Sequence, residues 1–139
     1  EDILAAMFPD CVLSMESALY CYHYLKNRPF KWTIAVDKNT SKSRFKIDYP
    51  LVQPYYTEPE VLQMGTIKIS FGNSQMSVYC KERLICDILK YENRMEREDL
   101  QQALRAFIMD KDKDIAKLLE YAKERKVLSK VRNQVGVWL

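Results

Sequence analysis

From Lys81 onward the hydrophobic pattern of this chain is helical to the end. Upstream of that point segments that alternate at every second position are mixed with short helical stretches; downstream apolar residues recur at every third or fourth. A protein so divided builds a sheet first and a helical layer after it. The clearest upstream unit is a hairpin: Ile67, Ile69 and Phe71 alternate over Thr66 to Phe71, Met76 and Val78 alternate over Gln75 to Tyr79, and Gly72-Asn73-Ser74 supplies the turn. Downstream, four apolar stripes follow: Leu84, Ile85, Ile88 and Leu89; Leu100, Ala103, Leu104, Phe107 and Ile108; Ile115, Leu118, Leu119 and Ala122; and Val127, Leu128, Val131 and Val135. Each reads as one face of a helix. Glu96, Glu98 and Asp99 favour the start of the second helix through its dipole, and Asp114 suits the cap of the third.

The remaining elements are shorter. Asp2 to Phe8 reads as a helix stopped by Pro9, and Ser14 as the N-cap of a helix from Met15 to about Lys26 with Met15, Ala18, Leu19 and Tyr22 on its buried face. Trp32, Ile34 and Val36 alternate as a half-buried strand. Arg44 to Asp48 and Leu51 to Thr57 read as two more strands, kept near a sheet edge by Pro50 and Pro54. Glu58 to Met64 reads as a short helix. The expected architecture is α+β: a small mixed sheet of about five strands, an N-terminal helix and a C-terminal block of about four helices, in one domain over residues 1–139. With 47% hydrophobic residues the chain can fill a core of that size.

Composition narrows the function. Three glycines and no G-x-G-x-x-G or G-x-x-x-x-G-K-[ST] argue against a phosphate-cradling loop. A net charge of +3 is mild, and no apolar run approaches a membrane span. Cys11, Cys21, Cys80 and Cys86 lack a C-x2-C spacing and read as reduced thiols packing as small hydrophobes, as in a cytoplasmic protein. A Cys21–His23–Cys80–Cys86 zinc site has the wrong spacing for a compact site. A Ser–His–Asp triad would have to use His23, and there is no nucleophile elbow. The one Glu-x-Lys triplet, Glu124-Arg125-Lys126, falls at a helix end, so an Asp37-centred nuclease site lacks its strand partner. Asp110, Asp112 and Asp114 imitate part of a calcium loop without its Gly and distal Glu. No cofactor, metal or small-molecule substrate is expected.

Within "MSVYCKERLICDILKYE", Arg83 and Asp87 sit four residues apart, opposite the apolar stripe. The simpler reading is a solvent-side ion pair of about 0.3–0.5 kcal/mol. The alternative is a fixed polar contact that seats the helix on the sheet or on a partner. Basic residues gather toward the C-terminus: Lys117, Lys123, Arg125, Lys126, Lys130 and Arg132 read as a solvated face or as a surface for an acidic partner or a phosphate backbone. Tyr20, Tyr22 and Tyr24 alternate, so on one helix they cannot all be buried, and exposed tyrosine suits a protein interface.

Stretches in this order resemble a known family. "LSMESALYCYHYL", "FKWTIAVDKN" and "GNSQMSVYCKERLICDILK", with the tail "LLEYAKERKVLSKVRNQVGVWL", are similar to the C-terminal domain of AbiEi-type antitoxins of bacterial type IV toxin–antitoxin (abortive infection) systems. Ser14, Glu16, Ser17, Ala18 and Leu19 match the first motif, and Glu82, Arg83 and Asp87 the second; Leu84 stands where Thr is usual. The resemblance implies a structural role for these positions. It also implies a non-enzymatic transcriptional regulator whose C-terminal domain neutralises a nucleotidyltransferase-like toxin and whose N-terminal winged helix-turn-helix binds promoter DNA. The start at Glu1 fits a chain from which that winged helix is missing. The rival expectations are nucleic-acid binding through the basic C-terminal helices and a degenerate nuclease-like enzyme.

Overall fold

The computed structural model describes residues 1–136. The final residues of the tail stretch, Val137 to Leu139, lie outside the described residues. The fold is α+β, as the sequence pattern predicts: a five-stranded mixed sheet carries a short helix before it and a helical block behind it.

In chain order the elements are α1 (Asp2–Met7), β1 (Val12–Leu13), α2 (Met15–Cys21), β2 (Trp32–Asp37), β3 (Val52–Thr57), α3 (Pro59–Leu62), β4 (Thr66–Phe71), β5 (Ser74–Tyr79), α4 (Lys81–Lys90), α5 (Arg97–Met109), α6 (Ile115–Glu124) and α7 (Leu128–Gln134). The sheet order is β3-β2-β1-β5-β4. β1 runs antiparallel to β2 and parallel to β5; β2 and β3 are parallel; β4 and β5 form the antiparallel hairpin. Pro54 sits on β3, an edge strand, where its missing N–H costs no ladder bond to a further neighbour. Gly72 takes φ +64 at the first turn position of the hairpin, the conformation that a II′ turn assigns to glycine. Asp2 closes this turn from α1, accepting from the Asn73 N–H at 2.8 Å and the Ser74 hydroxyl at 3.0 Å.

Several elements differ from their sequence expectation. The central strand β1 has only two residues, too few to display a period, yet Val12 and Leu13 are fully buried between β2 and β5. Arg44 to Asp48 is not a strand: Lys42–Phe45 makes a 3-10 turn. Arg44 leaves the sheet there to bind Asp10 through both terminal nitrogens and to stack over Phe8 and Phe45. β2 is buried over Thr33 to Val36 without alternation, because it lies inside the sheet.

α2 stops at Cys21, short of Lys26. His23 takes φ 64, and the Tyr24 N–H returns to the Leu19 carbonyl at 2.9 Å, a six-to-one closure of the helix end. That turn separates the alternating tyrosines. Tyr22 donates to the Tyr79 carbonyl at 2.8 Å, whereas Tyr24 is buried and donates to Asp110 at 2.6 Å.

α4 is the centre of the second layer. It packs against α2, α5, α6 and α7, and every residue from Glu82 to Leu89 is buried. Its apolar face alone, with Leu84, Ile85, Ile88 and Leu89, contributes about 1.5–3 kcal/mol per side chain. Among the described residues no helix is long and apolar enough to cross a membrane.

Candidate functional site

The first motif latches α2 to β2. The Ser17 N–H donates to Thr33 Oγ1 at 2.9 Å, and Ser17 Oγ accepts from the Thr33 N–H at 2.8 Å. Thr33 Oγ1 in turn donates to the Ser14 carbonyl at 2.6 Å. Ser14 therefore works through its backbone. It is the N-cap residue of α2, as expected, but its side chain makes no cap bond and its hydroxyl is buried without a partner. The sharp entry into α2 explains this: Met15 takes φ 45, so the chain bends into the helix at that residue.

The second motif is a buried ion clamp. Arg83 is fully buried and Asp87 is 3% exposed, which overturns the solvent-side reading. The helical wheel puts them opposite the apolar stripe, but the segment from Val61 to Met64, the Tyr79 ring and Arg125 close over that side of α4. Arg83 Nε donates to Asp87 Oδ1 and Oδ2 at 3.2 and 3.0 Å, and Nη1 donates to the Val61 and Met64 carbonyls at 2.5 and 2.8 Å. The guanidinium carbon lies 4.1 Å from the Tyr79 ring centroid. Gly65 leaves room for this helix: a Cβ at its φ of +77 would stand 3.0 Å from Arg83 Cβ.

Arg125 completes the clamp. Its place in the basic stretch predicts a surface position, but it is 5% exposed, and its Nε donates to Asp87 Oδ1 at 2.9 Å. The cause is helical phase: Arg125 follows Leu118 and Ala122 on the buried face of α6, and its backbone is still helical before Lys126 turns the chain at φ 60. The clamp thus joins α3, α4 and the end of α6. Glu82 performs a similar task one turn earlier, accepting from the Asp114 N–H at 2.9 Å, while Asp114 caps α6 by accepting from the Lys117 N–H. Lys117, Lys123, Lys126, Lys130 and Arg132 are exposed. Lys130 also reaches the Leu89 carbonyl at 3.1 Å and Glu92 at 3.5 Å.

The thiols are poor nucleophiles. Burial pushes Cys11 and Cys86 up to about 12. Among the described residues no group of three His, Cys, Asp or Glu side chains is arranged to hold a metal ion, so Cys21, His23, Cys80 and Cys86 do not converge.

A cleft of about 600 Å³ opens beside α2 and the start of α5. Glu16, the remaining residue of the first motif, lines it with Tyr55, Asp99, Arg94 and Phe30. Glu16 Oε1 is buried with no hydrogen-bond partner. Burial raises this carboxyl above its usual range; its own backbone N–H opposes the rise and Asp99 adds to it. The sequence marks Glu16 by its motif and Asp99 only as a helix start, and nothing in it brings Tyr55 or Arg94 to the same place. Tyr55, Arg94 and Asp99 come from β3, a 3-10 turn and α5, and nothing local in the sequence joins such segments.

No protein-family model matches the chain, and no curated protein matches it.

Proposed function

We propose that this chain is a cytoplasmic, non-enzymatic antitoxin-type regulatory domain. It binds and neutralises a nucleotidyltransferase-like toxin and supports autoregulation by a DNA-binding winged helix elsewhere in the protein. The observation that carries this reading is the use of the resembling motifs. Ser17, Glu82, Arg83 and Asp87 hydrogen-bond through their side chains within the fold, and Ser14 through its carbonyl, on the α2–β2 latch, the ion clamp or the α6 entry. Residues employed that way define a scaffold, and recognition then falls to the outer surface. Co-expression with a nucleotidyltransferase-like toxin encoded beside its gene tests the reading. Growth restored by this chain supports it, and growth arrest undiminished by the folded chain opposes it.

A second reading is supported by the exposed cations Lys117, Lys123, Lys126, Lys130 and Arg132, which suit a phosphate backbone. Duplex DNA affinity that falls steeply with salt would support it; affinity indifferent to salt would exclude it.

A further inference from the structure

We propose that the cleft beside α2 receives a basic side chain, arginine or lysine, presented by a protein partner. This inference rests on the partner-binding reading and names the chemistry of one contact within it.

The floor of the cleft lacks a donor. Glu16 Oε1 is buried and unpartnered. Tyr55 is 4% exposed and lines the same space. Among the described residues the hydroxyls of Tyr22, Tyr24, Tyr79 and Tyr91 hydrogen-bond, whereas that of Tyr55 has no partner. One buried carboxylate oxygen beside the cavity, Glu16 Oε1, therefore has its hydrogen bond unmade, a costly arrangement that a ligand relieves.

The missing group is a cation. Glu16, Asp99 and Glu96 all line the cleft, and none of them belongs to an ion pair among the described residues. The cations in the wall do not serve them. Arg28 lies over Trp32 at 5.3 Å, and Arg94 lies over Tyr55 and Tyr91 at 5.2 and 5.0 Å. Arg28, Lys31 and Arg94 are exposed, so water already solvates their charges, whereas the Glu16 oxygen has no such relief. An anionic ligand would satisfy only groups that are already hydrated. A guanidinium or ammonium would satisfy the buried Glu16 Oε1, with the water-accessible Tyr55 Oη as a second acceptor. Phe30, 84% exposed on the rim, offers an apolar surface to the methylene stem of such a side chain.

The test is an NMR titration of the isotope-labelled chain with N-acetyl-arginine amide, using N-acetyl-citrulline amide as the uncharged control. Saturable shifts at the Glu16 carboxyl carbon and the Tyr55 ring are expected with arginine and not with citrulline. Glu16→Gln should weaken arginine about tenfold. Phe30→Ala, at an exposed position that leaves the fold alone, should weaken it about threefold. Absence of saturable shifts at Glu16 and Tyr55, equal binding of citrulline, or unchanged affinity in either variant would overturn the proposal. Capture experiments keep it separable from the broader reading. A toxin bound equally by the wild-type and Glu16→Gln chains overturns the cleft assignment and leaves the antitoxin reading standing. Saturable arginine binding by a chain that binds no toxin does the reverse.

Discussion

Arg125 reaches back 38 residues to place its Nε 2.9 Å from Oδ1 of Asp87. Asp87 already accepts from Arg83, so one buried carboxylate serves two buried guanidinium groups. The pairing is not a gain in stability over apolar packing, because desolvating three charges is costly. Its consequence is specificity: α3, α4 and the end of α6 have one arrangement in which the charges meet.

Removing the shared anion should therefore be among the most damaging single changes available. Asp87→Asn leaves two guanidinium groups facing each other without their counter-charge. A loss of about 3–5 kcal/mol is expected from urea unfolding. Replacing all three residues with apolar side chains of similar volume should cost much less, and the comparison separates lost charge balance from lost packing.

The α2–β2 latch should behave as a neutral hydrogen-bond network. Thr33→Val keeps the shape and removes the hydroxyl, stranding the buried Ser17 N–H and one bond to the Ser14 carbonyl. The expected cost is about 1–3 kcal/mol by urea unfolding. Each side chain bonds the other residue's backbone N–H within one network, so a Ser17→Ala, Thr33→Val pair should show non-additivity.

His23 ends α2 in a left-handed conformation that glycine adopts without strain. His23→Gly should stabilise the fold by about 0.5–1 kcal/mol, read as a higher Tm, since the residue is exposed. Destabilisation would mean that the imidazole makes a contact that the turn depends on.

The same turn shows what the sequence could reveal. The hairpin and the four C-terminal helices were legible because they are long enough to repeat a period. Lys126 and His23 end helices in a conformation usually given to glycine, so no punctuation residue marked either stop. β1 was invisible because two residues carry no pattern. The wheel through α4 placed Arg83 and Asp87 opposite the apolar stripe, but sequence alone could not show that Val61, Met64, Tyr79 and Arg125 would close over them. Nor could it join Glu16 to Tyr55, since that neighbourhood is created by the sheet order.

Acid should weaken the contact between α4 and the end of α5. Lys81 first, and then Tyr24, hold the Asp110 carboxyl down to about 2 from an ordinary 3.8. A carboxyl depressed in the folded state contributes stability above its unfolded value and loses it as the pH falls through its folded value. Stability measured by urea should therefore drop as the pH is lowered from about 4 to about 2. Asp110→Asn should flatten that part of the curve while leaving the chain less stable at neutral pH.

The central claim, recognition of a toxin by a scaffold without chemistry of its own, is tested most directly by affinity capture. The tagged full-length protein is used as bait in its source cell, and the retained proteins are identified by mass spectrometry. The account predicts a stoichiometric complex with a nucleotidyltransferase-like protein encoded by the adjacent gene. Recovery of the folded bait with no such protein, from a cell that expresses one, would contradict it.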